Sequence, residues 1–279
     1  MESDWSEHLR FAVEIAGQAG DLLRDRPAAL QTSTKSTATD VVTHMDRAAE
    51  ALLVSRIVEQ YPDDGVLGEE GAESAARSGR QWVLDPLDGT VNYVFGLPLW
   101  SVSVALVDAA TRTPLVGVVH APEIGMTMAA AAGHGAHRVL PEGPAPLAVS
   151  TAQDLSQALV ATGFGYDAAR RSGQARVLGR VLPQVRDLRR MGSCAIDLCY
   201  VAAGCLDGYF ERGVHEWDFA AGALIVTEAG GVVSGLRGGK PGPEMVVAAG
   251  AALHGQLQAI LEQAGADQDR PAEVDRGEP

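Results

Sequence analysis

Two carboxylates stand close together in Asp85-Pro86-Leu87-Asp88-Gly89-Thr90, directly after the apolar run Trp82-Val83-Leu84. Such a run reads as a strand, so both acids emerge at its end on a turn too short to separate them. Carboxylates held that close repel unless a cation lies between them. Together with a turn carbonyl they make the oxygen-rich set that a hard ion such as Mg²⁺ accepts. Gly89 and Thr90 follow, where backbone N–H groups opening a helix would face a phosphate. The chemistry on offer is metal-assisted attack on a phosphate ester. A plain β-turn is the alternative, and the spacing does not match a calcium-binding helix-loop-helix.

Two further acidic positions join this one: Glu69-Glu70, bounded by Gly68 and Gly71, and Asp218, between Trp217 and Phe219. Taken alone, Glu69-Glu70 reads as a solvated turn, and Asp218 reads either as a helix cap or as a metal ligand with other acids beside it. Cys194, Cys199 and Cys205 are odd in number and lack CxxC spacing, which excludes a disulfide framework and a zinc site and leaves buried free thiols. His44 and His215 read as structural or exposed, with a supporting role for His215 left open by its nearness to Asp218.

Composition narrows the class. The 279 residues fit one large domain or two intimate halves, with 46% hydrophobic and 21% charged residues. A formal net charge of −14 argues against nucleic acid as the main ligand. The apolar runs are too short for a membrane span, and the acidic start (Glu2, Asp4, Glu7) lacks a signal-peptide pattern, so the cytoplasm is the expected location.

The elements that must position the acids follow from periodicity and breakers. Helices are expected over Ser6–Arg26, ended by Pro27, and Asp46–Tyr61, ended by Pro62. Gln31–Asp40 reads as a loop or loose hairpin. Strands at Trp82–Leu84, Trp100–Val107, Val116–His120 and Met126–Ala131 read as an antiparallel meander, with Ser101 and Ser103 giving only partial alternation. The second half alternates a strand at Ala158–Thr162, a helix at Ala168–Leu182, a Ser-capped helix over Ser193–Ala203 and a strand at Gly208–Phe210. A helix at Asp218–Ala229, a strand at Met245–Ala248 and a helix at Leu253–Gln263 complete it. The fold class is therefore layered α/β. The expected division is residues 1–145 as an N-terminal half with the metal site, 146–264 as a C-terminal α/β half, and 265–279 as a frayed tail.

Taken together, Gly68-Glu69-Glu70, Trp82 through Tyr93, and Trp217-Asp218-Phe219-Ala220-Ala221-Gly222 with Glu228-Ala229-Gly230-Gly231 resemble the inositol monophosphatase family. Thr162 through Tyr166 and Arg189-Arg190-Met191-Gly192-Ser193 resemble its bacterial inositol-1-phosphatase branch. The resemblance covers roughly residues 8–262 and implies an αβαβα sandwich, a homodimer and lithium sensitivity. It implies two or three Mg²⁺ held by Glu69, Asp85, the Leu87 carbonyl, Asp88 and Asp218. It implies that Thr90, backed by Asp46, orients the attacking water. Gly89 and Thr90 would grip phosphate through their N–H groups, and Lys35, with Asp40 and Asp46 in register, would steer it. Asp88, Gly192, Ser193, Cys194, Glu211 and Asp218 would surround the alcohol part, with Cys194 departing from the Ala common there.

The expected activity is hydrolysis of myo-inositol 1-phosphate or a similar polyol monophosphate. Histidinol phosphate, fructose 1,6-bisphosphate and 3′-phosphoadenosine phosphates are sister possibilities. The 5% aromatic content and acidic charge lean against adenine or bisphosphate substrates, which would favour extra cations and stacking rings. A regulatory binding protein built on the same fold is the reading from another class.

Overall fold

The computed structural model describes residues 5–27, 32–34 and 41–268. In chain order, helix α1 (Ser6–Arg24) is followed by strands β1 (Thr32–Thr34) and β2 (Val41–Thr43), which pair antiparallel, and then by α2 (His44–Gln60). Next come β3 (Gly65–Gly68), β4 (Glu73–Ser74), β5 (Arg80–Asp88), the short helix α3 (Thr90–Phe95), β6 (Ser101–Asp108), β7 (Pro114–Ala121), β8 (Met126–Ala131), β9 (Ala136–Arg138) and β10 (Ala145–Pro146). The remainder is β11 (Leu159–Thr162), α4 (Ala168–Val181), β12 (Asp187–Arg189), α5 (Cys194–Ala202), β13 (Gly208–Glu211), α6 (Glu216–Glu228), β14 (Gly231–Ser234), β15 (Val246–Gly250) and α7 (Ala251–Ala264).

An eight-stranded sheet runs β10-β9-β8-β7-β6-β5-β3-β4, and a five-stranded sheet runs β12-β11-β13-β15-β14. The helices α1 and α2 cover the outer face of the first sheet, α5 and α6 fill the space between the sheets, and α4 and α7 cover the second sheet. The layers are therefore αβαβα. Both faces of the first sheet are buried. Val102, Val104 and Leu106 of β6 pack toward α1 and α2. Ala105 and Val107 pack toward α5 and α6. A strand buried on both faces loses the polar alternation of a half-solvated one. Ser101 and Ser103 are both buried at 0% exposure, so they mark a polar seam inside the molecule and not a solvent face.

Several boundaries differ from the sequence reading for local reasons. Helix α1 stops at Arg24, and Arg26 leaves the axis to donate to the carbonyls of Tyr93 (2.6 Å) and Val94 (2.9 Å). Helix α2 starts two residues before Asp46, because Thr43 caps it through Oγ1, which accepts from Met45 N at 3.0 Å. Helix α6 starts at Glu216, so Asp218 occupies its third position and is not the cap residue. Strands β12 and β14 are too short and too exposed to leave a hydrophobic signature. Cys205 is exposed in the turn after α5, which corrects the expectation of three buried thiols; Cys194 and Cys199 are buried. Gly265 ends α7 in a left-handed conformation, and Ala266 packs back onto the second sheet's outer core.

The middle layer is seated by a close approach. Gly117 of β7 faces α6, and a Cβ there would lie 2.7 Å from the Ala221 carbonyl oxygen. Because α6 carries Asp218, this glycine sets how deeply one acid enters the site. Gly117→Val forces backbone against backbone and is expected to lower the unfolding free energy by about 1–3 kcal/mol. The urea midpoint measures it, and an unchanged midpoint would mean that α6 is not held by this contact.

Candidate metal and phosphate site

The placement of Asp85 and Asp88 depends on a fault in the sheet. Asp85 pairs with Ser103 and Asp88 with Ser101, so β5 carries one extra residue between the pairs. In a regular strand, residues three apart point to opposite faces. The extra residue restores both acids to one face, toward α5 and α6. Pro86 sits within the bulge, where the ladder needs no N–H. Asp85 Oδ1 closes the bulge by accepting Leu87 N at 2.9 Å. The turn expected after Leu84 is thus a bulge in a strand that continues to Asp88.

Three elements bring the remaining acids in. Glu69 follows β3, which is parallel to β5, and its N–H donates to the Leu84 carbonyl at 3.1 Å. The turn is shaped by buried Glu50, which accepts Glu70 N (2.9 Å) and Ala72 N (3.0 Å). Gly68 makes this possible, since a Cβ there would overlap the Glu50 carboxylate. Glu70 is turned aside, with Arg47 at 4.0 Å. Asp218 accepts the backbone N–H of exposed His215 at 2.6 Å, and His215 stacks on Trp217. The Trp217 carbonyl accepts from buried Ser103 Oγ at 3.1 Å. Arg112 pairs with Glu216 at 2.6 Å and ties the start of α6 to the first sheet.

The outcome is convergence: carboxylate oxygens of Glu69, Asp85 and Asp218 lie within 4.8 Å of one another. Asp88 lines the same cavity but stands outside that trio. Its Oδ2 accepts from Ser193 Oγ (2.6 Å) and Ala195 N (2.7 Å), which spends one oxygen on the start of α5. The donors of the trio are all hard oxygens with no thiol or imidazole, and the set fits Mg²⁺.

The electrostatics carry the same message. Burial, then the charges of Glu69, Asp88 and Asp218, push the Asp85 carboxyl well above its ordinary range. Burial, then Glu69 and Asp88, do the same to Asp218. Asp88 rises only to about 6, because burial is opposed by its bonds from Ser193 and Ala195.

The Gly89-Thr90 loop lies beside the acids. Gly89 has φ 94° and precedes α3, and a Cβ on it would lie 2.9 Å from the Leu99 carbonyl. Thr90 Oγ1 lies 3.0 Å from Asp46 Oδ1 and 3.1 Å from the Leu87 carbonyl oxygen. Asp46 is buried, which raises its pKa, and its other oxygen accepts from Thr43 N and Oγ1 at 2.9 and 2.6 Å. Asn92, one turn on, donates to the carbonyls of Leu99 (2.6 Å) and Met191 (2.8 Å), binding the Gly89-Thr90 loop to the loop that carries Gly192 and Ser193. Lys35 and Asp40 lie outside the described residues.

Glu69, Asp85, Leu87, Asp88, Gly89, Thr90 and Asp218 open into one cavity of about 510 Å³, which Gly192, Cys194 and Glu211 also line. Ser193 lies just beneath as the cap of α5, accepting Ile196 N at 3.1 Å. Burial raises Glu211 to about 7, opposed by a 2.9 Å bond from Tyr209 Oη and by the charge of Arg190. Gly163 gives Glu211 its room, since a Cβ there would overlap the carboxylate. Burial and three nearby acids push the Cys194 thiol far up, so it stays protonated and inert as a nucleophile. Sequence reasoning did not single out Glu50, Asn92 or Arg170. Only Gly68, Gly163 and Gly165 hinted that side chains press against the backbone there.

The architecture and the oxygen-lined cavity define a layered α/β protein centred on a cluster of acids. The chain belongs to the inositol monophosphatase family, whose family model matches residues 4–266. It is 46% identical over 261 residues to the inositol-1-monophosphatase of Mycobacterium leprae, covering 91% of this chain and 86% of that one. It is 43% identical over 236 residues to the Nus factor SuhB of Pasteurella multocida, covering 83% and 86%. The solved structure of the extragenic suppressor protein suhB from Bartonella henselae superposes with a TM-score of 0.85 at 32% identity, covering 92% of this chain and 99% of that one. Among the described residues, no helix is long and apolar enough to cross a membrane.

Raised carboxyl pKa values have a definite sign. A carboxyl whose folded pKa lies above its ordinary value favours the fold below that ordinary value and loses this advantage as pH rises through the folded one. For Asp88 the window runs from 3.8 to about 6, and Asp85 and Asp218, also raised, act in the same direction. Mg²⁺ binds the ionised form, so its addition is expected to raise the melting temperature more at pH 8 than at pH 5.5. Equal shifts at both values, measured by calorimetry, would remove the acid cluster as the place where the ion binds.

Proposed function

We propose that the protein is a Mg²⁺-dependent phosphomonoesterase that hydrolyses myo-inositol 1-phosphate or a similar polyol monophosphate. The observation that carries this is the convergence of Glu69, Asp85 and Asp218 beside Asp88 and the Gly89-Thr90 loop. Mg²⁺, two or three ions on Glu69, Asp85, Asp88, Asp218 and the Leu87 carbonyl, would neutralise the ester and lower the pKa of water.

The chain's own groups have distinct tasks. Asp46 is fixed by Thr43 and can take the Thr90 hydroxyl hydrogen, leaving a Thr90 lone pair to orient an attacking water in the cavity. The backbone of Gly89 and Thr90 faces the phosphate at the start of α3. Glu211 and Asp88 offer acceptor oxygens to polyol hydroxyls, and Gly192 and Cys194 shape the wall around them. The name of the Mycobacterium leprae relative supports inositol as the alcohol. Lys35 as a phosphate-steering cation, a cytoplasmic homodimer and lithium inhibition through the Asp218 side of the site belong to the same reading.

A phosphate-release panel with Mg²⁺ tests it, using inositol 1-phosphate, histidinol phosphate, fructose 1,6-bisphosphate and 3′-phosphoadenosine 5′-phosphate. Inositol 1-phosphate is expected to be preferred and Asp88→Asn to abolish release; full activity in that variant would sink the assignment. Thr90→Ala is expected to cut kcat on the order of 10²-fold with little change in KM, and a change confined to KM would assign Thr90 to binding instead.

The relatives named Nus factor SuhB favour a second reading, a regulatory role through a protein partner. Partner capture that survives in catalytically silent Asp88→Asn would separate this role from catalysis, and no phosphate release from any ester would bring it to the front.

A further inference from the structure

Arg112 stands in the turn between β6 and β7 with a backbone φ of 61°, in the left-handed region that disfavours a side chain. Glycine would satisfy such a turn without strain. The turn is built by its neighbour Asp108, whose carboxylate accepts Ala110 N at 3.1 Å and Thr111 N at 2.7 Å, and whose carbonyl accepts Arg112 N at 2.9 Å. Nothing in the turn calls for arginine, so the reason for it lies at the far end of its side chain.

There, three of the guanidinium nitrogens have partners. Nε and Nη2 donate to the two carboxylate oxygens of Glu216 at 3.0 and 2.6 Å, a bidentate fork. Nη1 donates to Gln81 Oε1 at 2.5 Å, and Gln81 Nε2 donates in turn to the Val66 carbonyl at 3.2 Å. Val66 lies in β3, just ahead of Glu69. Gln81 lies in β5, one turn of the ladder ahead of Asp85, and Glu216 opens α6, which carries Asp218. One guanidinium thus ties together the three elements that deliver the converging acids, without itself lining the cavity.

The side chains of Arg112 and Glu216 are 34% and 26% exposed, so solvent screens much of their attraction. What the fork supplies is direction as well as distance. Mg²⁺ demands near-ideal placement of its oxygens, and groups behind the ligands tune its affinity. We propose that Arg112 is a positioning residue for the metal site: by spacing β3, β5 and α6 it sets the affinity of the Glu69, Asp85 and Asp218 cluster for Mg²⁺. This rests on the metal-binding part of the phosphatase reading. Charge and spacing predict opposite signs here. A cation near the site repels Mg²⁺ through space, so its removal would tighten binding if charge alone acted.

Mg²⁺ calorimetry on the metal-free protein tests this, with a melting curve to show that each variant folds. Arg112→Gly relaxes the turn and removes the fork, and is expected to raise the Mg²⁺ Kd about tenfold. Arg112→Lys keeps the charge without the fork and is expected to weaken binding to the same degree. An equal or lower Kd in the glycine variant, or full affinity in the lysine variant, would overturn the proposal. Hydrogen exchange without metal gives a second readout. The amides of His215 and Asp218, which bond to the Asp218 carboxylate and the His215 carbonyl, are expected to exchange faster in both variants, and unchanged rates would also overturn it. If the wild-type protein binds Mg²⁺ but releases phosphate from no ester, the phosphatase reading fails, while the Kd values still decide the role of Arg112.

Discussion

Mutual repulsion among buried carboxylates is the constraint around which this molecule is arranged. Left alone, Glu69, Asp85 and Asp218 would separate or take up protons. Three different elements instead hold them within 4.8 Å: the turn after β3, the bulge in β5 and the first turn of α6. Each is fixed by hydrogen bonds or an ion pair behind it. Glu50 shapes the first turn through backbone N–H groups, Leu87 N closes the bulge, and Arg112 and Ser103 hold α6. The scaffold holds an electrostatically unfavourable arrangement, which a divalent cation would relieve.

The cavity draws on both halves of the chain. Glu69, Asp85, Asp88 and Asp218 come from the turn after β3, from β5 and from α6, while Arg170 and Arg190 come from α4 and the approach to α5. Asn92 of α3 ties the Gly89-Thr90 loop to that approach, donating to the Leu99 and Met191 carbonyls. Asp88 makes a similar bridge through Ser193 and Ala195. Both are hydrogen-bonded links, so the distance from the acids to the loop that leads into α5 is set by hydrogen bonds of fixed length and not by side-chain reach.

Much of this was legible in the chain. The acids were visible because Asp-Pro-x-Asp after Trp82-Val83-Leu84 is hard to explain as solvated surface, and the helices were visible through their periodicity. Their convergence came from resemblance, since no local pattern says that Asp218 approaches Asp85. The bulge was not legible: it depends on pairing with Ser101 and Ser103, which lie on another strand. Those serines resembled a solvent-facing alternation because both sheet faces are covered and polarity no longer marks the outside. Strands β12 and β14 owe their existence to neighbours, not to their own composition. Arg170 was not legible: only the glycines it presses against mark it, and a glycine does not announce its partner.

The position of α6 between the two sheets has a consequence for when the protein becomes competent. Asp46, Asp85 and Asp88 belong to segments made early in the chain, while Asp218 enters only once α6 lies over Gly117 and beneath β14 and β15. Contacts of such sequence separation close late, after much of the loop entropy has been met elsewhere. A nascent chain with only its first sheet in place would lack Asp218, and the acid cluster would be complete only when the last third of the polypeptide folds back. Metal capture would then act as a seal on finished molecules, distinguishing them from chains that stopped short.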